Sequence, residues 1–148
     1  MFRVQPLMDY EPPLGCSIAA EAERTGVAAL EIAYDHLLQD GGRAMLYVAL
    51  GNYAQGNLDH ALEMMRDDNT LLGLGDGGAH YGIICDASYS THMLTYWGRD
   101  RTRGRMELPQ IVRKLSRQNA EAIGLLDRGL IARGYKADVN VIDHGRLA

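Results

Sequence analysis

Apolar residues along the chain fall into runs of alternately helical and strand-like spacing. Ser17 can accept the free amides of a short helix that ends near Gly26. Leu30, Ala33, Tyr34, Leu37 and Leu38 then recur at helical spacing, which predicts a second helix with that face buried, closed by Asp40, Gly41 and Gly42. AMLYVAL, residues 44–50, is a continuous apolar run between glycines, too short for a helix and suited to a strand covered on both faces. Beyond the polar loop GNYAQGN, Asn57 can cap a helix lined by Leu58, Ala61, Leu62 and Met65, and TLLGL, residues 70–74, supplies another short apolar strand.

Strand, helix and strand within about thirty residues predict a βαβ unit, with parallel strands and a right-handed crossover. The loops 51–57 and 75–80 then lie at the carboxyl ends of the strands, the edge where α/β folds place their chemistry. Downstream, Thr91 to Trp97 reads as helical and leads into the arginine-dense loop GRDRTRGR. A further helix starts near Pro109 and buries Leu108, Ile111, Val112 and Leu115. The tail holds a short run, Asp138 to Asp143, in which Val139 and Val141 share a face, read as the start of a β segment outside the α/β layer.

Composition narrows the classes. The 148 residues are 47% hydrophobic and 23% charged, which fits a chain with a packed core rather than a disordered one. A net charge of -4 gives no overall attraction to nucleic acid or anionic membrane, so neither is expected as a partner. Without a long apolar span or an apolar leader, the expected compartment is the cytoplasm. Cys16 and Cys85 are too few for a disulfide framework or a cysteine-only metal site and read as small buried residues.

The chemistry concentrates in GLGDGGAH, which packs four of the 17 glycines around Asp76 directly after a strand. Three readings stand side by side. The glycines formally fit a dinucleotide fingerprint, although Asp76 would then oppose the phosphates. The loop can be a tight turn in which Asp76 caps the next segment. Or Asp76 projects from a strand end into a catalytic or metal pocket. His80 follows four residues later; Asn52 and Tyr53 share the edge if the strands pair in parallel. His36, His60, His80, His92 and His144 show none of the short spacings that aim two imidazoles at one ion, and His36 and His60 read as satisfied or solvent-facing. Arg99, Arg101, Arg103 and Arg105 can grip a carboxylate or phosphate, but read first as a solvated loop. Tyr47, Trp97 and the methionines read as core. Ser88, Ser90 or Cys85 would need an aligned base to act as nucleophile.

Three segments, GLGDGGAHYGIICDASYSTHMLTYWGRDRTRG, VRKLSRQNAEAIGLLDRG and LIARGYKADVNVID, resemble the carboxyl-terminal part of metal-dependent amidohydrolases of the D-aminoacylase (N-acyl-D-amino-acid deacylase) branch. LEIAYDHLL and YVALGNYAQGNLDHALEMM, within the stretch from Pro6 through Leu72, resemble the same branch. The resemblance implies an α/β fold: the last strands and helices of a (β/α)₈ TIM-type barrel over residues 1–125, then the start of a small β-sandwich over 126–148. It implies a hydrolase acting on C–N bonds other than peptide bonds, which splits N-acyl-D-amino acids into a carboxylate and a D-amino acid. By motif position Asp76 is its proton shuttle and a possible metal ligand; His80, Asn52 and Tyr53, from their loop positions, are the secondary candidates for the substrate pocket.

The family's His-x-His and later metal-binding histidines belong to earlier barrel strands and have no counterpart here. Zinc is therefore expected in the complete enzyme and not in this chain alone. A complete barrel takes about 250 residues, so the implied partners are a complementary amino-terminal barrel chain or further copies of this one. The alternative reading is a non-catalytic half-barrel that serves as an interaction or oligomerisation module.

Overall fold

A computed structural model describes residues 1–6, 8–73, 75 and 87–147. The chain divides into two compact units, Met1–Ala61 and Leu62–Ala148.

In the first unit, β1 (Phe2–Arg3) pairs antiparallel with β2 (Leu46–Tyr47), Phe2 opposite Tyr47 and Arg3 opposite Leu46. The Val4 amide donates to the Met45 carbonyl at 3.1 Å and extends the ladder. The strand expected over 44–50 is thus reduced to two residues, and its partner is the amino-terminal strand. Among described residues 70–73 no strand is assigned, and Leu74 lies outside the description, so the expected parallel βαβ pair is not part of the described sheet.

Helix α1 (Ile18–Thr25) starts and stops as its sequence demands. The Ser17 hydroxyl accepts the Ala20 amide at 3.1 Å, and Gly26 ends the helix in the left-handed conformation at φ 73°, which costs a residue without Cβ nothing. Helix α2 (Ala29–Leu37) packs on it, and Ile18, Ile32 and Ala33 form a core joined by Ala22, Ala29 and Leu46. The predicted buried face was Leu30, Ala33, Tyr34, Leu37 and Leu38; only Ala33 is buried, and Leu30 is 77% exposed. Two apolar faces compete on this helix. The Ile32 face wins because the small Ala29 and Ala33 admit α1 closely, and because His36 bonds to the β2 approach at Met45. The turn α3 (Gln39–Gly42) then reverses through positive φ at Asp40 and Gly41.

Helix α4 (Asp59–Arg66) spans the division between the units, with Leu62 buried and the Asp59 amide donated to Asn57 Oδ1 at 3.0 Å, as the Asn57 cap predicts.

The second unit is built on two long helices, each containing a π turn. Helix α5 (Tyr89–His92) runs on as Met93–Asp100, and α6 (Leu108–Arg113) runs on through Lys114–Gln118 into α7 (Asn119–Ala122). Leu62, Leu72, Met93, Trp97, Met106, Ile111 and Ala120 are the buried apolar residues of this unit. Leu108 and Leu115 flank this set, whereas Val112, expected inside, is half exposed. Lys114, on the same helix, is buried at 1% exposed.

Residues 102–105 of the arginine loop are exposed, as its composition suggests, but Arg101 is not. Arg101 is 2% exposed, with its guanidinium over the Trp97 ring at 4.9 Å and donating to the Gly104 carbonyl at 2.7 Å. The Met106 amide returns to the Trp97 carbonyl at 2.9 Å and closes the loop onto the helix. Arg105 donates to the Arg99 carbonyl, and Arg99 pairs with Asp100 at 2.6 Å.

Downstream, Gly129 lies so close to the π turn that a Cβ there would stand 2.6 Å from the Arg117 Cα. The expected β segment Asp138–Asp143 carries no strand and Val139 and Val141 are exposed, because strand geometry holds only where a ladder partner takes up the backbone groups. Cys16, read as buried, is exposed; Cys85 lies outside the described residues.

These assignments separate neighbours on one helix. Ile111→Ala is expected to cost about 2–5 kcal/mol in urea unfolding, and Val112→Ala less than about 0.5 kcal/mol. Equal costs would contradict the observed orientation of the helix.

Candidate functional site

The expected site lies on loops 51–57 and 75–80. Asp76 and His80 lie outside the described residues, as does Cys85; the structure describes the segments that lead to them and the loop that carries Asn52 and Tyr53.

Asn52 is exposed and adopts a left-handed conformation, φ 57°, which asparagine tolerates better than most residues. It turns the chain out of the β2 region. Tyr53 turns inward. Its hydroxyl donates to the Pro12 carbonyl, and its ring meets Phe2 edge-on with centroids 6.1 Å apart. Burial pushes the Tyr53 hydroxyl above the ordinary phenol value, and Tyr47, Asp9 and Glu11 push it further. Tyr53 therefore secures the amino-terminal arm, with its proton already committed. Tyr47 works alongside it by donating to the Tyr10 carbonyl at 3.4 Å, and Glu11 Oε1 accepts the Leu58 amide at 2.7 Å.

The arm borders a cavity of about 510 Å³ lined by Phe2, Arg3, Met8, Asp9, Glu21 and Tyr47 among others, and neither Asn52 nor Tyr53 reaches its wall. Within it Arg3 pairs with Glu21 at 2.6 Å and holds that carboxyl below the usual carboxylate range.

In the second unit, the backbone entering the Asp76 loop is held from one side by three side chains of the helix running from 108 to 122. Lys114 Nζ donates to the carbonyls of Asp67 at 2.6 Å and Thr70 at 3.0 Å. Gln118 Nε2 donates to the carbonyls of Asp68 at 2.7 Å and Thr70 at 3.4 Å, and Asn119 Nδ2 donates to the Leu72 carbonyl. Sequence reasoning missed this set. Its signal was Lys114, three residues after Ile111 and next to Leu115, a cation placed on the apolar face of its helix.

The described histidines do not gather around an ion. His36 is buried, with Nε2–H donating to the Met45 carbonyl at 3.1 Å and Nδ1 paired with the Gln39 amide at 3.2 Å. His144 donates to the Leu94 carbonyl at 2.9 Å. His92 stacks on Tyr96 at 5.0 Å, and burial lowers its pKa. His60 sits on the exposed side of α4. Among the described residues no group of three His, Cys, Asp or Glu side chains can hold a metal, so the donor set there does not fit the zinc that the sequence resemblance implies. No helix among the described residues is long and apolar enough to cross a membrane.

Residues 16–148 match the family model described as "Amidohydrolase family". No curated protein and no solved structure matches the chain.

The role of Tyr53 has a pH signature. A phenol whose folded pKa is raised lends stability that is complete below the unfolded value, about 10, and is lost as pH rises through the folded one. Tyr53→Phe should cost about 0.5–1.5 kcal/mol at pH 7. The gap from wild type in urea midpoint should narrow above pH 10, where the wild-type hydroxyl loses its proton. A gap that stays constant up to pH 11 would contradict the assignment.

Proposed function

Because the chain belongs to the amidohydrolase family over residues 16–148, we propose that it is the carboxyl-terminal part of an enzyme that hydrolyses N-acyl-D-amino acids to a carboxylate and a D-amino acid. The family makes it a hydrolase acting on carbon–nitrogen bonds. The finer reading rests on the likeness of GLGDGGAH and its flanking segments to the D-aminoacylase branch. The observation that carries the proposal is the family match, whose range, residues 16–148, includes the loop bearing Asp76.

In this reading the Asp76 carboxylate takes a proton from the water whose oxygen bonds to the acyl carbon. It returns that proton to nitrogen as the C–N bond breaks, so the amine departs neutral and the carboxylate is ready again. A positioned acid–base group of this kind contributes typically about 10²–10⁴-fold to the rate. His80 and Asn52 are the candidates for substrate contact. Tyr53, whose hydroxyl proton is donated to Pro12, can offer its ring or its oxygen as an acceptor. The residues that would hold the family's metal lie outside the described residues, with Asp76 a possible ligand among them, and no step above runs through it.

A second reading, a non-catalytic half-barrel that serves as an interaction module, draws on one observation. Leu30, Tyr34 and Leu37 of α2 and its C-cap residue Leu38 are all exposed, an apolar stripe of the kind that marks an interaction surface.

Co-expression with the polypeptide encoded immediately upstream, followed by assay of N-acetyl-D- and N-acetyl-L-amino acids with zinc added, separates the two. The proposal expects release of D-amino acids that requires both polypeptides and falls about 10²–10⁴-fold in Asp76→Asn. Absence of any hydrolysis, or an Asp76→Asn variant as fast as wild type, would overturn it.

A further inference from the structure

We propose that the cavity in the first unit is a binding site for a small zwitterion with a large apolar side chain, an amino acid such as phenylalanine, held between Asp9 and Arg24. The inference rests on the geometry of residues 1–61 and is independent of the reaction proposed above.

The charges around the cavity sort themselves into a closed pair and an open one. Glu21 and Arg24 lie three residues apart on α1, on one face of it, and both line the cavity. Arg3 reaches Glu21 from β1 through two parallel bonds, at 2.6 and 2.8 Å, so this pair cancels within itself. Asp9 and Arg24 are left with opposite charges. Among the described residues neither is in an ion pair: Asp9 Oδ1 accepts the Glu11 amide at 2.8 Å, and Arg24 Nη1 donates to the Gly15 carbonyl at 2.8 Å. These bonds hold each group in place and leave it most of its capacity, the second carboxylate oxygen of Asp9 and the Nε and Nη2 donors of Arg24.

The rest of the wall is apolar and aromatic, with Phe2, Met8 and Tyr47 beside those charges. The volume, about 510 Å³, lies within the range of ordinary ligand pockets, roughly 300–1,000 Å³. A simple anion would meet repulsion from Asp9, and a simple cation would meet it from Arg24. A ligand that carries both signs satisfies both groups, and an apolar body on it covers the Phe2, Met8 and Tyr47 surface.

The wall is also set before a ligand arrives. Tyr47 and Tyr53 hold the carbonyls of Tyr10 and Pro12, Glu11 holds the Leu58 amide, and the Cys16 amide donates to the Pro13 carbonyl at 2.8 Å. The arm from 8 to 16 is thus tied along its length. An ordered wall spares the ligand the entropy of ordering it.

Proton–nitrogen NMR spectra of the full chain titrated with L-phenylalanine test this. The comparison ligands are phenethylamine, which lacks the carboxylate, and phenylpropanoate, which lacks the ammonium group. Saturable shifts are expected in residues 2–3, 8–16, 21–24 and 47, with a Kd on the order of 1 mM for a ligand of this size. Each analogue should bind roughly tenfold more weakly or worse. Asp9→Asn should weaken phenylalanine by about tenfold without weakening phenylpropanoate, and Arg24→Gln should do the same without weakening phenethylamine. Both positions are exposed, so neither variant puts the fold at risk. Absence of saturable shifts up to about 20 mM would overturn the site. Shifts confined to other residues would overturn its location, and equal affinity for all three ligands would overturn the roles of Asp9 and Arg24.

Discussion

A lysine ammonium buried among backbone carbonyls is the constraint on which the second unit turns. Taking one ion out of water costs several kcal/mol even after the protein relaxes around it. Two charge-assisted bonds, to Asp67 and Thr70, return about 1.5–3 kcal/mol each. The two sides are of similar size, so Lys114 adds little net stability; what it does add is a fixed place. The backbone at 67–72 cannot shift along the helix without breaking these two bonds to a buried lysine. The neighbouring features serve the same end. The π turn aligns Gln118 and Asn119 with Lys114, and Gly129, without a side chain, lets the downstream chain lie against that turn.

The other unit is held together by aromatic hydroxyls instead. Tyr47 and Tyr53 donate to carbonyls of the amino-terminal arm, and Phe2 lies between their rings with centroids 6.3 and 6.1 Å away. In both units, side-chain donors take up backbone carbonyls where the described sheet is only two residues deep.

What the sequence revealed was local. Ser17, Gly26 and Asn57 each cap a helix as their chemistry requires, and Trp97 and Ile111 are buried as their spacing predicts. The errors have a shared physical origin. Leu30, Tyr34, Leu37 and Leu38 form as regular a stripe as the Ile32–Ala33–His36 face that is buried, and only the tertiary partner α1 decides between them. The strands were overextended because an apolar run shows that a segment is suited to a sheet and not that a ladder partner is present. Spacing rules assign charge to the surface, so they do not find Lys114, and they put Arg101 in solvent although it lies over Trp97. Of the candidate site, Asn52 and Tyr53 could be placed, and Tyr53 was found to be committed to Pro12; Asp76 rests on motif resemblance.

The chain has just two lysines, Lys114 buried and Lys136 exposed, which makes one measurement unusually clean. A proton–nitrogen NMR spectrum of the side-chain ammonium groups, with couplings read across the hydrogen bonds to the carbonyl carbons of residues 67 and 70, reports directly on the Lys114 contact. The account predicts a slowly exchanging Lys114 signal coupled to both carbonyls, beside a Lys136 signal broadened by exchange with water. Two signals exchanging equally fast, with no coupling to either carbonyl, would contradict it.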